Sequence, residues 1–511
     1  MATVKALAPA GANAGAAPIR RGPITVTVML ATVMQALDMT IANVALPHMQ
    51  GSMSATLEQI SWVLTSYVVA AAICMPLTGV LAARLGRRRL FMISIVAFTV
   101  TSMLCGLAQN LEQIVVFRIL QGAFGAFLVP LSQSVLLDVY PPARHGWAMA
   151  VWGVGVMLGP IGGPSLGGIL TEWYDWRWVF FINLPFGMLA LLGMVLFLPE
   201  SELDRSRRFD LFGFALLALA IGSLQMMLDR GQSLDWFSSG EIIAEAILSA
   251  ACFYLFIAHI TTSAHPFIDP ALFRDRNFAV GLMLIFVVGV ILLATMALLP
   301  PFLQNLMGYP VIDTGGLLAA RGVGTMIAMI TVGRLASRID LRPLVVVGFL
   351  LSAIAMWDAT HFTDEIGGWP IVRSGLVQGL GLGFLFVPLS TITFATLTQR
   401  FRNDGTSIFS LVRSIGSSIG VSIVIGYLAR ATQVNHAALA ESVSPFRPAL
   451  QAAIETGTIV IDDPAGLAQL NGMVNHQAVL MAYLQDFRLL MMASLLPIPL
   501  VLLLRKAAPR R

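Results

Sequence analysis

Apolar residues along this chain come in blocks of about 20, the length at which an α-helix crosses the hydrocarbon core of a bilayer. Fourteen blocks are legible, near 24–47, 60–82, 90–108, 112–136, 146–170, 178–198, 210–228, 242–260, 278–303, 312–336, 343–360, 370–397, 405–430 and 487–505. The block 242–260 is the least regular, opening beside Glu241 and Glu245 and closing at His259. Without it the count is thirteen and the carboxyl terminus changes side. The residue-by-residue alternation of a transmembrane β-barrel is absent. The pattern therefore predicts an all-α polytopic membrane protein.

Composition agrees: 57% of the 511 residues are hydrophobic and 11% charged. Cys74, Cys105 and Cys252 all fall in apolar blocks, far from any CxxC spacing, so no disulfide framework or metal site is implied. The net charge of +4 is not read as a nucleic-acid signal, because the basic residues occupy short connections between blocks. Of 31 Lys and Arg, 22 lie in the tails and even-numbered connections and six in the odd ones. The positive-inside rule then puts both termini in the cytoplasm. Residues 1–22 read as a cytoplasmic tail, and the long connection 431–486 as an outer, partly helical segment.

Two stretches recur at nearly one offset. GVLAARLGRRRL (79–90) matches GRLASRIDLRPL (333–344), and QGAFGAFLVPLS (121–132) matches QGLGLGFLFVPLS (378–390) with one insertion. Repeated halves are how many transporters build a central site that opens alternately to each side. The expected organisation is a six-helix half over 23–199, a connector with two extra helices over 200–264, and a second six-helix half over 265–511.

Chemistry enters with Asp38, a carboxylate inside the first apolar block. A charge there costs several kcal/mol, so it is either a proton-binding group or a structural acid bonded to a neighbouring helix. Arg118 and Arg413 are cations inside the fourth and thirteenth blocks, and either could compensate it. In GVGVMLGPIGGPSLGG, Gly155, Gly159, Gly163 and Gly167 recur every four residues with Gly168 beside them. On a helix they form a smooth packing face, and Pro160 and Pro164 bend it. No strand precedes this run, so it is not a nucleotide-binding loop.

These stretches together resemble the drug:proton antiporters of the major facilitator superfamily, in their fourteen-helix branch. Gly159, Gly163, Pro164, Gly167 and Gly168 match the antiporter motif of the fifth helix. LDMTIANVALP (37–47), RILQGAFGA (118–126, with Gln121 and Gly122) and WRWVFFINLPFG (176–187) match motifs of the same branch. LQMMLDRGQSLDWFSSGEI (224–242) is similar to the subgroup that serves as inner-membrane pumps of tripartite efflux systems. The loop motif of Gly79, Arg84, Gly86, Arg87 and Arg88 departs from the family at Ala83, where an acid is usual. Its latch then needs another partner, such as a helix carboxyl end or Asp138.

The resemblance implies a multi-pass protein of the bacterial inner membrane that exports hydrophobic drugs and toxicants against protons, contributing to antibiotic resistance. Asp38, Arg118 and Arg413 would serve proton coupling, and Met34, Gln35, Met157, Phe386 and Phe409 would line the substrate cavity. The expected partners are hydrophobic small molecules, protons, the bilayer, a periplasmic adaptor and an outer-membrane channel, with no nucleic acid. No cofactor is expected, and no GxxxxGK[ST] occurs in the chain. A dedicated exporter of one metabolite, lipid or siderophore is the alternative. A membrane sensor or enzyme is disfavoured because His48, His145, His259, His265, His361, His436 and His476 share no spacing.

Overall fold

The computed structural model describes residues 20–200, 209–444, 446–456 and 463–505. Lys5, Arg205, Arg207, Arg208, Lys506, Arg510 and Arg511 lie outside them, as does most of the amino-terminal tail. The helices that can span a membrane are α1 (Arg21–Met53), α2 (Leu57–Cys74, continued after a bend by Leu77–Leu85), α3 (Arg87–Leu107), α4 (Leu111–Val139), α5 (His145–Trp173), α6 (Trp178–Phe197) and α7 (Leu211–Arg230). They continue as α8 (Gly240–Thr262), α9 (Arg276–Pro301), α10 (Val311–Leu335), α11 (Arg342–Ala359), α12 (Gly368–Ala395), α13 (Arg402–Ser442) and α14 (Pro464–Leu495). The irregular block at 242–260 is a full helix, α8, so with the bent α2 taken as one span the count among the described residues is fourteen.

One element differs from the hydropathy reading and another extends it. The block at 60–82 is two helices meeting at 60°. Pro76 has no N–H to offer the Ala72 carbonyl, and at the bend the Met75 carbonyl accepts from Thr78 Oγ1 at 2.6 Å and from Ser407 Oγ of α13 at 2.9 Å. The connection 431–486, expected to be partly helical, is mostly helix among its described residues, because α13 runs 41 residues to Ser442 and α14 starts at Pro464. At 1.5 Å per residue α13 is about 60 Å long, twice the hydrocarbon thickness. Beyond the bilayer its polar stretch is held against α14 by Asn435 Nδ2 to the Ala478 carbonyl (3.4 Å) and by the contact of His436 Nε2 with Asn471 Oδ1 (3.0 Å). An apolar-block criterion stops where the membrane does; the helix does not.

Small residues set how closely the helices approach. A Cβ on Gly159 would lie 2.6 Å from the Ala36 backbone, and Gly163 and Gly167 meet Thr40 and Val44 one and two turns along α1. The Thr40 hydroxyl donates to the Gly159 carbonyl at 3.0 Å. On its other side α5 faces α10 of the second half: Gly146 meets Ala336, Gly153 meets Met329 and Gly322 meets Ile161. Further along, Gly168, Gly315 and Gly316 have nothing within 4 Å of a Cβ, so these helices part beyond their midpoints.

The repeated Gln-Gly pair packs alike in both halves, Gly122 of α4 on the Tyr67 backbone of α2 and Gly379 of α12 on the Arg321 backbone of α10. The extra helix α7 touches both halves. Gln225 Nε2 donates to Ser418 Oγ of α13 at 2.8 Å, while Asp229 accepts from Thr65 of α2.

Both described termini lie at one end of the bundle, the end rich in arginine. Thr25 of α1 meets the Tyr140 hydroxyl at 3.0 Å, and Arg505 N donates to Asn277 Oδ1 at the start of α9 at 2.8 Å. The sides are studded with exposed apolar residues, among them Leu192, Leu196, Tyr254 and Ile354. This is the surface a protein presents to lipid rather than to water.

Candidate functional site

Asp38 is 1% exposed, and its carboxylate is surrounded by donors. Arg118 of α4 donates Nη1 to Asp38 Oδ2 at 2.7 Å. Asp38 Oδ1 accepts from Gln121 Nε2 of α4 at 2.8 Å and from Asn183 Nδ2 of α6 at 2.7 Å. The three donors come from two helices, and α1 supplies only the acid.

The arginine is itself held on every side. Its Nε donates to the Val63 carbonyl of α2 at 3.0 Å, and Nη1 also donates to Gln121 Oε1 at 2.8 Å. The guanidinium lies 4.2 Å from the centre of the Tyr67 ring, a cation–π contact in a desolvated place. Breaking such a pair by removing one partner leaves an uncompensated buried charge, at about 3–5 kcal/mol. Around the cluster close Leu37, Ile41, Val63, Cys105, Ile114 and Phe180, a small apolar core of its own.

Of the two arginines that could have met Asp38, the structure uses Arg118. Arg413 in α13 instead lies 5.9 Å from the Phe386 ring centre, with its backbone carbonyl against Gly289 of α9. Gln35, one turn before Asp38, is half-buried and donates to the Tyr67 hydroxyl at 3.4 Å. Phe386 stacks on Trp152 at 5.5 Å, joining the halves at the bundle centre. Met34, Met157 and Phe409 are buried in the main core.

A family model described as Major Facilitator Superfamily matches residues 28–421. The chain belongs to the major facilitator superfamily. It is 39% identical over 436 residues to the multidrug export protein EmrB of Escherichia coli K12, covering 84% of each chain. It is 37% identical to the fatty acid resistance protein FarB of Neisseria gonorrhoeae, over 89% of this chain and 90% of that one. Among solved structures, the proton:xylose symporter XylE superposes with a TM-score of 0.59 at 14% identity, over 92% of this chain and 94% of that one. The human organic anion transporter MFSD10 gives 0.58 at 15%, over 94% and 100%. At such identities these two show the fold alone.

The superfamily's loop motif has its own geometry here. Gly86, at φ +85°, makes the turn between α2 and α3 that a side chain would strain. Arg87 pairs with Asp138 at the end of α4, and the same carboxylate pairs with Arg402 at the start of α13. Asp138 thus answers the missing acid at Ala83 and ties the two halves at the arginine-rich end. Gly79 is covered by the Asp404 side chain of α13, so a methyl there would collide with it. Arg88 donates to the Val195 carbonyl at 2.8 Å, and Arg84 is exposed.

Three contributors to the acid's surroundings escaped the sequence reading: Asn183, Ser102 and Tyr67. Asn183 carried the same signal that exposed Asp38, a lone polar side chain inside an apolar run, and it stands within the quoted WRWVFFINLPFG. Tyr67 carried none, being one aromatic among many.

Proposed function

We propose that the protein exports hydrophobic small molecules across the bacterial inner membrane in exchange for protons, with both termini cytoplasmic. The observation that carries this reading is the buried Asp38–Arg118 pair in a family member whose relatives are named for multidrug export. A carboxyl that alternates between this donor shell and water alternates in its affinity for protons. One proton descending about 100 mV supplies about 2.3 kcal/mol, enough for a substrate gradient on the order of 50-fold without a nucleotide or other cofactor.

In the cycle, substrate binds from the cytoplasm or inner leaflet and displaces a proton from Asp38. The halves then rock about the α5–α10 and α2–α13 contacts, and a proton taken up outside resets the acid. The latch of Arg87, Asp138 and Arg402 belongs to the state closed on the cytoplasmic side.

A periplasmic adaptor would dock on the helical hairpin formed by the outer parts of α13 and α14. Exposed Val434, Leu467 and Met473 and the 86% exposed Phe446 offer it an apolar surface. The likeness to a fatty acid resistance protein favours one narrower reading, export of amphipathic acids. A ligand-range assay separates that from broad drug export.

The test is substrate-induced proton release in proteoliposomes. Wild type acidifies the medium on substrate addition and Asp38→Asn does not. Transport unchanged after collapse of the proton gradient overturns the antiport reading.

A further inference from the structure

Asn183 is 1% exposed and its carboxamide is held from one side only. Nδ2 donates to Asp38 Oδ1 at 2.7 Å and to Ser102 Oγ of α3 at 2.9 Å, and that hydroxyl in turn donates to the Phe180 carbonyl at 2.9 Å. Asn183 Oδ1 has no hydrogen-bond partner among the described residues. Burying a carbonyl without a donor is unfavourable. The residue is therefore kept for its amino group, and that group points at the acid.

Gln121, the other amide on Oδ1, shares α4 with Arg118, so it adds no new helix to the network. Among the described residues Asn183 alone carries the acid's charge to α6. There it opens the helical segment Asn183–Phe197, which is pressed onto α3 by Gly187 against Thr99 and onto α1 by Gly193 against Thr27. Hydrogen bonds to an ionised acceptor are about twice as strong as those to a neutral one. Proton uptake on Asp38 thus weakens the tie to α6 as well as the ion pair.

We propose that Asn183 is a positioning residue for proton exchange, donating to the ionised Asp38 to set the pH at which it takes a proton and making α6 respond to that event. The inference rests on the proton-antiport reading. The titratable and charged groups facing Asp38 are Tyr67 from α2, Cys105 from α3 and Arg118 from α4. α5 meets α1 through Gly159 on Ala36 and Gly163 on Thr40, which bring no charge, and α6 supplies Asn183 itself.

The experiment is an infrared pH titration of the purified full chain, following the protonated-carboxyl absorbance that Asp38→Asn removes; it needs no substrate. In Asn183→Leu, near in size but without a donor, the midpoint rises by about one pH unit. Asn183→Asp raises it further by placing a second carboxylate beside the first. Ser102→Ala, which loosens the amide without removing it, shifts it the same way by less. Should Asn183→Leu fail to fold, Ser102→Ala decides, and an unmoved midpoint overturns the proposal. An unchanged midpoint in folded Asn183→Leu overturns it directly, as does wild type without an Asp38-dependent band between about pH 4 and 9. Loss of antiport itself is read separately, as absent proton release from wild-type proteoliposomes.

Discussion

A guanidinium and a carboxylate buried together in a membrane protein need one another and cannot be removed singly. Arg118 satisfies Asp38, Gln121 and the Val63 carbonyl with a rigid fork. Lysine offers a point charge on a flexible stem and cannot hold all three. Arg118→Lys is expected to lower coupled transport at least tenfold while keeping the fold, read as proton release per substrate and as an unchanged thermal transition. Arg118→Ala leaves Asp38 without its cation and is expected to cost about 3–5 kcal/mol of stability, measured by thermal unfolding in detergent. The sequence exposed both residues, because a charge in hydrocarbon is conspicuous anywhere. It left open whether Arg118 or Arg413 answers Asp38, since hydropathy is a property of one residue and an ion pair is a property of two.

Among the elements, α5 shows how closely a face can be specified. Gly159 abuts the Ala36 backbone, which cannot swing aside as a side chain can, whereas Gly168 faces open space. Gly159→Ala is expected to destabilise by about 1–3 kcal/mol by forcing α1 and α5 apart. Gly168→Ala is expected to be neutral or to stabilise by up to about 1 kcal/mol through helix propensity. A thermal melt of the two variants checks both, and equal destabilisation would refute the α1–α5 register. The glycine spacing made this face legible; that it meets α1 on one side and α10 on the other came from the fold.

The α7–α8 pair is fastened at the arginine-rich end by Asp210, which caps Gly213 N at 2.9 Å, meets His259 Nε2 at 2.8 Å and accepts from Phe267 N at 3.0 Å. Burial alone would raise this carboxyl, but those bonds outweigh it and hold it below the usual carboxylate range. A depressed folded-state value stabilises the protein above the unfolded value of about 3.9 and loses that contribution as pH falls through the folded one. Asp210→Ala is therefore expected to lower stability by about 1 kcal/mol at pH 7, with the difference from wild type vanishing in strong acid. Equal loss at all pH would assign the effect to packing.

At the level of the whole molecule, the two halves repeat in form and differ in chemistry. Gly122 and Gly379 make the same helix contact, but Gly375 stands three residues before Gln378 where Arg118 stands three before Gln121. The charge network belongs to one half, while the latch belongs to both. Asp138→Ala leaves Arg87 and Arg402 facing without their shared acid. With Cys74, Cys105 and Cys252 replaced by Ala, a cysteine at Ala336, in the seam against Gly146, is expected to label roughly 5–30-fold faster once Asp138 is removed. An unchanged labelling rate would show that packing alone holds that end shut.

By itself the sequence determined what depends on one residue or one neighbourhood at a time. That includes fourteen apolar spans, an even count that returns both termini to one end, a repeat, and a few charges where hydrocarbon should be. Only the tertiary structure decided what depends on which helix touches which. It bent α2 at Pro76, where a carbonyl found partners in α2 and α13, and it extended α13 and α14 past the membrane because each covers the other. It also chose Arg118 for Asp38, gave Asp138 to Arg87 and Arg402, and brought Asn183 from α6 onto the acid. Partner choice is a matter of distance in three dimensions, and an apolar pattern fixes the lengths of helices without fixing their neighbours.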